Sequence, residues 1–240
     1  MNDRIKDFLI NHPSFTTDEF ADVLYEETPG IGRATIFNVL KQKCSSGEIS
    51  RIGRGHFVSS AEKAYTYDLS EHAKEISSLI QFEYPLIKYQ VWELYQLNEF
   101  VNHQFSKNTI FIDVENMLDE SVFNLLFERY PHVLHNPDIK EYEKYAGDET
   151  VVVRKLISEA PMPAGQHHQA ALEKILVDLF ARGIPRAIVS RSEYPKIFEE
   201  AFRKYSINQT KMLRYARRRG VSNSLADFIH SNTDITLEIK

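Results

Sequence analysis

The sequence has a single cysteine and no long apolar run. One thiol, Cys44, cannot form a disulfide within the chain, which is typical of proteins from a reducing compartment. No stretch approaches the ~18 apolar residues of a membrane-spanning helix, and the N-terminus lacks the apolar run of a signal peptide. We therefore expect a cytoplasmic protein that makes no contact with a membrane.

Motifs of the common catalytic and cofactor sites are also lacking. There is no glycine-rich phosphate loop and no nucleophile elbow, and His167 and His168 have no cysteine partners for zinc. We expect no catalytic residue, no metal and no cofactor. A metal-dependent nuclease with a restriction-endonuclease-like C-terminal domain is the less favoured alternative, because the chain lacks a Glu-x-Lys motif on a strand. Its candidate residues are Asp113, Glu115, Asp148, Glu149 and Lys155.

Charge is unevenly distributed along the first quarter of the chain. The net charge of −5, taken alone, argues against a nucleic-acid ligand. Residues 1–30, however, hold seven acids and two bases, whereas residues 30–58 hold five bases and one acid, a local charge of +4. A local cluster of cations, rather than the sum over the chain, decides whether a segment attracts phosphate.

The first 60 residues have the pattern of three helices followed by a hairpin. Residues 3–11, 17–27 and 33–44 show the apolar periodicity of amphipathic helices, and a Thr-Pro-Gly-Ile-Gly turn separates the second from the third. Residues 49–52 and 56–58 are short strand-like runs around a Gly-Arg-Gly turn. This order predicts a winged helix-turn-helix DNA-binding domain over residues 1–60.

The third of these helices has a polar outer face. Thr35, Asn38 and Gln42 recur at helical spacing on a side away from its apolar residues. Asn and Gln can bond adenine edges in the major groove, and Thr can touch a thymine methyl group. Arg51 and Arg54 of the hairpin are suited to contact phosphate. The predicted DNA-binding residues are Arg33, Thr35, Asn38, Lys41, Gln42, Lys43, Arg51, Arg54 and His56.

Residues 65–240 are predicted to form a larger mixed α/β domain that ends in a helical segment. Strand-like runs alternate with amphipathic helices as far as residue 157. After Pro161 the sequence predicts almost only helices. The predicted strands are residues 65–67, 86–92, 109–115, 132–134, 149–157 and 186–190. The fold class is therefore α+β or α/β, with the winged helix-turn-helix at its N-terminus.

Asp178 lies within an apolar helix predicted over residues 169–182. A carboxylate in such a position is stable only when it is paired or hydrogen-bonded. We expect Asp178 to be a structural residue that pairs with Lys174, one turn earlier, or with an arginine of the last helices.

The arginine-rich end of a later helix has two interpretations. Cations in the last turn complement the helix dipole, which requires no further function. Alternatively, they form a second basic patch that contacts phosphate beside the winged helix or engages a toxin. Its members are Lys211, Arg214, Arg217, Arg218 and Arg219.

Three segments of the chain carry a family resemblance: GEISRIGRGHFV at residues 47–58, LEKILVDLF at residues 172–180 and LRYARRRG at residues 213–220. They resemble the winged-helix antitoxins of the AbiE abortive-infection systems, which are type IV toxin-antitoxin systems. The resemblance implies a transcriptional autorepressor whose N-terminal domain binds its own operator, a double-stranded DNA. It further implies that the C-terminal domain counters a nucleotidyltransferase toxin.

The expected function is that of a DNA-binding transcriptional regulator, the autorepressing antitoxin of such a pair. A second alternative is a stand-alone winged-helix regulator whose C-terminal domain senses a ligand or a partner. A neighbouring nucleotidyltransferase gene would favour the antitoxin over this alternative.

Overall fold

The computed structural model describes residues 2–45, 48–59, 64–163 and 168–237. Its N-terminal module, residues 2–59, is formed by α1 (Asn2–Asn11), β1 (Ser14–Thr16), α2 (Thr17–Glu27), α3 (Arg33–Ser45), β2 (Ile49–Gly53) and β3 (His56–Ser59). The three strands form an antiparallel sheet in the order β1-β3-β2. Ser46 and Gly47, expected to end α3, lie outside the described residues, as do linker residues 60–63. The sequence did not predict β1, because three residues are too few to show an alternating pattern.

A small aromatic core holds the N-terminal module together. Phe15 of β1 stacks against Phe20 of α2 and against Phe57 of β3, with ring centroids 5.6 and 5.8 Å apart. Helix α2 begins with a capping box in which Thr16 and Glu19 satisfy each other's backbone N–H groups. The short strand β1 therefore leads directly into a capped helix.

The C-terminal module, residues 64–237, is a mixed arrangement of strands and helices. A four-stranded sheet has the order β4-β5-β7-β6, in which β4 is antiparallel to β5 and the other pairs are parallel. The molecule thus combines helices with two small sheets. The elements are α4 (Glu71–Glu83), β4 (Tyr89–Glu93), a 3₁₀ helix (Leu94–Glu99), β5 (Asn108–Val114), α5 (Asp119–Phe127), β6 (Val133–His135), α6 (Ile139–Tyr145), β7 (Glu149–Lys155), α7 (Leu172–Phe180), α8 (Ile184–Ile188), a second 3₁₀ helix (Arg191–Glu193), α9 (Tyr194–Lys204), α10 (Gln209–Arg218) and α11 (Ser222–Asn232).

The sheet of the C-terminal module is covered on both faces. Successive residues of β5 alternate between the faces: Ile110 and Ile112 belong to the core beneath α4 and α5, and Phe111 belongs to the core beneath α7, α9 and α10. Because both faces are buried, the strand is an almost continuous apolar run, which made β5 and β7 predictable.

Several predictions about the C-terminal module are wrong. Residues 65–67 form no strand, and residues 184–188 form α8 where a strand was predicted over residues 186–190. Pro185 in the first turn of α8 is compatible with a helix start, and neither sheet formed by the described residues includes this segment. Residues 139–145 form α6, which begins with a capping box between Asp138 and Glu141. No helix in the described part of the chain is long and apolar enough to cross a membrane.

Candidate nucleic-acid interface

Helix α3 presents the polar face expected from its sequence. Thr35, Asn38 and Gln42 are all exposed, while Ile36 and Leu40 on the opposite side are buried in the module's core. Helical spacing keeps the three polar side chains on one side of the helix. Hydrogen-bonding side chains are therefore displayed together at the surface of α3.

Cations flank this polar face. Arg33, Phe37 and Lys41 recur every four residues and share an adjacent side of α3, and all three are exposed. The Arg33 guanidinium lies 3.9 Å from Asp18, a solvent-exposed ion pair that contributes little to stability. Lys43 lies elsewhere: its side chain is turned inward, with Nζ 2.5 Å from a carboxylate oxygen of Glu48. Of the predicted DNA contacts on α3, Lys43 alone points away from the surface.

The β2-β3 hairpin carries the second group of predicted residues. Arg51, Arg54 and His56 are all exposed, and Arg51 Nε donates to the carbonyl of Gly53 at 3.0 Å. Gly55 has a φ of +76°, a conformation that favours glycine, and its carbonyl accepts from the backbone N–H of Thr17 at 2.8 Å. This bond fixes the hairpin tip against the start of α2.

Helix α10 of the C-terminal module is hydrogen-bonded to the outer edge of β2. The side-chain amide of Asn208 donates to the carbonyl of Arg51, and the hydroxyl of Thr210 donates to the carbonyl of Ile52 at 3.2 Å. Two carbonyls of an edge strand are thereby satisfied by the other module. The hairpin is therefore hydrogen-bonded to α2 of its own module and to residues of the C-terminal module.

A cleft of about 1160 Å³ lies between the two modules. We call it the junction cleft, and it is bordered by Arg33, Lys41, Arg51 and Arg54 of the N-terminal module and by Glu173 and Lys211 of the C-terminal module. Phe37 and Asn38 also line it, whereas Thr35 and Gln42 do not. The outer face of α3 is thus divided between open solvent and the cleft.

Burial raises the pKa of two titratable groups that line the junction cleft. Burial raises the pKa of the Glu173 carboxyl, although the backbone N–H of Asn208 and the charge of Lys211 act in the opposite direction. The N–H of Asn208 lies 2.8 Å from the Glu173 carboxylate. Burial likewise raises the pKa of the Cys44 thiol, which therefore stays protonated at neutral pH.

The members of the predicted second basic patch have different surroundings. Lys211 lines the junction cleft, whereas Arg214 and Arg218 lie 3.5 and 2.8 Å from Glu159. Arg217 is exposed and does not line the cleft. Arg219 is directed inward: it donates to the carbonyl of Arg182 at 3.1 Å and approaches Asp178 at 3.8 Å. Of these five residues, Lys211 alone lines the junction cleft together with cations of α3 and the hairpin.

Beneath α10 lies a cluster of buried charges, which we call the buried charge cluster. Its members are Asp113 of β5, Arg154 of β7, Lys174 and Asp178 of α7, and Tyr215 and Arg219 at the C-terminal end of α10. Asp113 and Arg154 are directly opposite each other in the β5-β7 register, and Arg154 donates both Nε and Nη2 to the carboxylate at 2.9 Å. Lys174 Nζ lies 2.6 Å from the same carboxylate.

Asp178 is the second acid of the cluster. Its carboxylate accepts from Lys174 at 2.7 Å, from Arg154 at 3.1 Å and from the hydroxyl of Tyr215 at 2.9 Å. Burial by itself would raise the pKa of Asp178. The positive charges of Lys174, Arg154 and Arg219 outweigh this effect and hold the pKa well below its usual range. The predicted pairing of Asp178 with Lys174 or with an arginine of the last helices is confirmed, and both kinds of cation lie beside it.

The carboxylates of the alternative nuclease hypothesis do not converge. Glu149 opens β7 opposite Asn108, five positions before the Asp113–Arg154 pair, and its carboxylate lies 3.0 Å from His72. Glu115 accepts from the backbone N–H of Lys88. Within the described ranges, no three His, Cys, Asp or Glu side chains are grouped so as to hold a metal ion; His167 lies outside those ranges.

A model of a family of unknown function, DUF6577, matches residues 35–235. The chain belongs to this family. The part of the chain that DUF6577 covers begins within α3 and ends beyond α11, so it includes the hairpin, the C-terminal wall of the junction cleft and the buried charge cluster. No curated protein matches the chain.

Sequence reasoning missed three contributors to this region. Phe37 is exposed although it is a large apolar residue, and Glu173 and Asn208 meet across 35 positions of the chain. Asn208 could have been recognised as a helix cap, because Asn is a preferred residue before the first helical turn. Its contact with Arg51 depends on how the modules are placed, which no local pattern encodes.

Proposed function

We propose that this protein is a DNA-binding transcriptional regulator whose N-terminal module is a winged helix-turn-helix. The observation that carries the proposal is the outer surface of α3, where Thr35, Asn38 and Gln42 are exposed beside the cations Arg33 and Lys41. An exposed helix with amide side chains fits the major groove, where Asn and Gln can each bond an adenine edge through two hydrogen bonds.

The hairpin supports the same proposal. It follows α3 directly, pairs in an antiparallel sheet with β1, and exposes Arg51, Arg54 and His56 on the cleft side of the module. Cations beside a groove-binding helix contact phosphate and set the salt dependence of binding. In this proposal α3 recognises the sequence and the hairpin contacts the backbone of the duplex.

Within this proposal the protein is the cytoplasmic, autorepressing antitoxin of a type IV toxin-antitoxin pair. Support comes from the AbiE-like segments at residues 47–58, 172–180 and 213–220. The second and third of these belong to α7 and α10, which meet in the buried charge cluster. We propose that the C-terminal module counters a nucleotidyltransferase toxin by binding and has no catalytic activity of its own, since its candidate carboxylates are engaged by other residues.

A stand-alone regulator with a ligand-sensing C-terminal module is the second candidate. The junction cleft favours it, because side chains of both modules line one cavity that adjoins α3 and the hairpin. A ligand there would contact the residues proposed to bind DNA. The two candidates share DNA binding and differ in what the C-terminal module recognises.

The DNA-binding proposal is tested by nuclease protection of the DNA upstream of the protein's own operon, with full-length protein over a series of salt concentrations. We expect one protected segment and an affinity that falls steeply with salt. Lys41→Ala should weaken binding, whereas Lys140→Ala, which removes an exposed cation of α6, should not. Absence of both protection and salt-dependent affinity would remove the proposal.

The antitoxin role needs a separate test. Where a nucleotidyltransferase gene lies beside this one, its expression alone should arrest growth, and co-expression of the full-length chain should restore it. Rescue by a Gln42→Ala variant deficient in operator binding would assign toxin neutralisation to the C-terminal module. Growth arrest that the full-length chain does not relieve would exclude the antitoxin role and leave the stand-alone regulator.

A further inference from the structure

The junction cleft has an excess of positive charge, and both modules contribute cations to it. Five cations border it, Arg33, Lys41, Arg51, Arg54 and Lys211. The acids in its lining are Asp18, which faces Arg33, and Glu173, which accepts a hydrogen bond from the backbone of Asn208. Guanidinium and ammonium groups converging on a cavity favour a ligand with several negative charges, phosphate above all.

An aromatic ring lies among these cations. Phe37 is 52% exposed, lines the junction cleft, and shares the side of α3 that carries Arg33 and Lys41. A nucleobase stacks on an exposed aromatic side chain whatever its sequence identity, because every base has a π-face. The same surface thus offers a partner for a base next to partners for phosphates.

The cleft also contains an unused polar group and adequate room. The hydroxyl of Ser206 is buried in the cleft wall and has no hydrogen-bond partner among the described residues. A buried hydroxyl of this kind is normally satisfied by protein, water or ligand. With about 1160 Å³, the cleft is somewhat larger than most small-molecule sites, which occupy roughly 300–1,000 Å³, and has room for a nucleotide.

We propose that the junction cleft is a nucleotide-binding site, with the phosphates held by cations of both modules and the base stacked on Phe37. Lys211 is the contribution of the C-terminal module, so a bound nucleotide would link the modules as the Asn208–Arg51 hydrogen bond does. Lys41, Arg51 and Arg54 would then serve two ligands. A nucleotide would compete with DNA for these three cations. This competition rests on the proposed function, whereas nucleotide binding itself is independent of it.

The binding test uses full-length protein without DNA. Fluorescence anisotropy of N-methylanthraniloyl-labelled ATP and GTP is measured at about 0.15 M salt, where weak surface attraction is largely screened. Unlabelled ATP, GTP and inorganic triphosphate are used as competitors. We expect saturable binding in which at least one nucleotide competes about tenfold better than triphosphate, because stacking adds to the phosphate contacts.

Three variants distinguish nucleotide binding in the junction cleft from nonspecific attraction to positive charge. Lys211→Ala should weaken nucleotide binding about tenfold, in line with the loss of one charge-assisted contact. Phe37→Ala should abolish the preference for a nucleotide over triphosphate. Arg217→Ala removes an exposed cation of the same helix, α10, outside the cleft and should have no effect. All three side chains are exposed, so circular dichroism should report an unchanged fold.

Several results would overturn the inference. They are an absence of saturable binding by either nucleotide, equal competition by triphosphate and nucleotides, and equal losses from Lys211→Ala and Arg217→Ala. A parallel titration with labelled upstream DNA keeps the two proposals distinct. If the variants change nucleotide affinity as expected but the protein binds no DNA, the proposed function alone is refuted. If the protein binds DNA but no nucleotide, this inference alone is refuted.

Discussion

The side-chain amide of Asn208 donates a hydrogen bond to the backbone carbonyl of Arg51, 157 positions earlier in the chain. The same residue caps α10, because its side-chain oxygen accepts from the backbone N–H of Lys211 at 2.9 Å. Its own backbone N–H donates to Glu173. One side chain thus starts a helix of the C-terminal module and holds the edge strand that carries the hairpin cations.

Replacing Asn208 should loosen the hairpin. Asn208→Ala removes both the cap and the donor to Arg51, and we expect it to lower the free energy of unfolding by about 1–2 kcal/mol. Amide hydrogen exchange in β2 should accelerate. Asn208→Asp keeps an oxygen for the cap but loses the amide donor, so it should cost less stability while exchange in β2 still accelerates. Unchanged exchange in both variants would show that the contact does not restrain β2.

The buried charge cluster should be intolerant of losing one cation. Lys174 is 1% exposed and bonds both Asp113 and Asp178, so Lys174→Met leaves buried carboxylates undercompensated. We expect a loss of about 3–5 kcal/mol, measured by urea unfolding. Lys204→Met is the matched control: Lys204 forms partly exposed ion pairs with Glu99 and Glu200, and we expect a loss below about 1 kcal/mol. Equal losses of unfolding free energy in Lys174→Met and Lys204→Met would contradict the expectation that the buried charge cluster depends on Lys174.

Acid should destabilise the protein through Asp178. The pKa of Asp178 is lowered in the folded state, so between that value and the unfolded value the native state binds fewer protons, and stability rises with pH. We expect the free energy of unfolding to decline as pH falls below about 4, the unfolded value for Asp, and to continue toward the folded pKa.

This pH dependence is checked by urea unfolding at several pH values between about 3 and 6. Asp178→Asn should be less stable than the wild type at neutral pH, but it should lose less of its remaining stability on acidification, because it lacks the titrating group. Asp148→Asn removes an exposed carboxylate and should keep the wild-type profile. Parallel profiles for wild type and Asp178→Asn would exclude Asp178 as the source.

Substitutions in the N-terminal module should separate base contacts from phosphate contacts. Gln42→Ala should weaken operator binding by about 1–3 kcal/mol and spare random DNA, because it removes the proposed contact to a base edge. Arg54→Ala should weaken binding to every sequence and lower the salt slope by about one. Lys43→Ala should leave the salt slope unchanged, since Lys43 points inward to Glu48. If Gln42→Ala weakens both affinities equally while Arg54→Ala affects only the operator, the two roles are reversed.

The sequence predicted those elements whose residues carry their own pattern. Strands β5 and β7 are long apolar runs, and the i, i+4 spacing of Lys174 and Asp178 on α7 predicted one contact of the buried charge cluster. Lys43 could have been assigned to the interior as well, because it follows Ile36 by seven positions on the same side of α3. The positive charge of Lys43, in contrast, is typical of a phosphate contact.

What escaped prediction depends on partners distant in sequence. Residues 65–67 have strand-forming side chains but no neighbouring strand, and the Asp113–Arg154 pair spans 41 positions between two strands. The junction cleft is a property of how two modules are placed, and its polar wall at Ser206 and Asn208 follows from that placement. Periodicity reports which side of an element is buried and says nothing about what buries it.

The distribution of the buried charge cluster along the chain has a consequence for synthesis on the ribosome. Asp113 and Arg154 leave the ribosome well before Lys174, Tyr215 and Arg219, so the cluster is complete only when α10 has emerged. The N-terminal module needs no residue beyond β3 to close its sheet. Because domains fold as units in the order of synthesis, we expect α3 and the hairpin to be folded on a nascent chain whose C-terminal module is still incomplete.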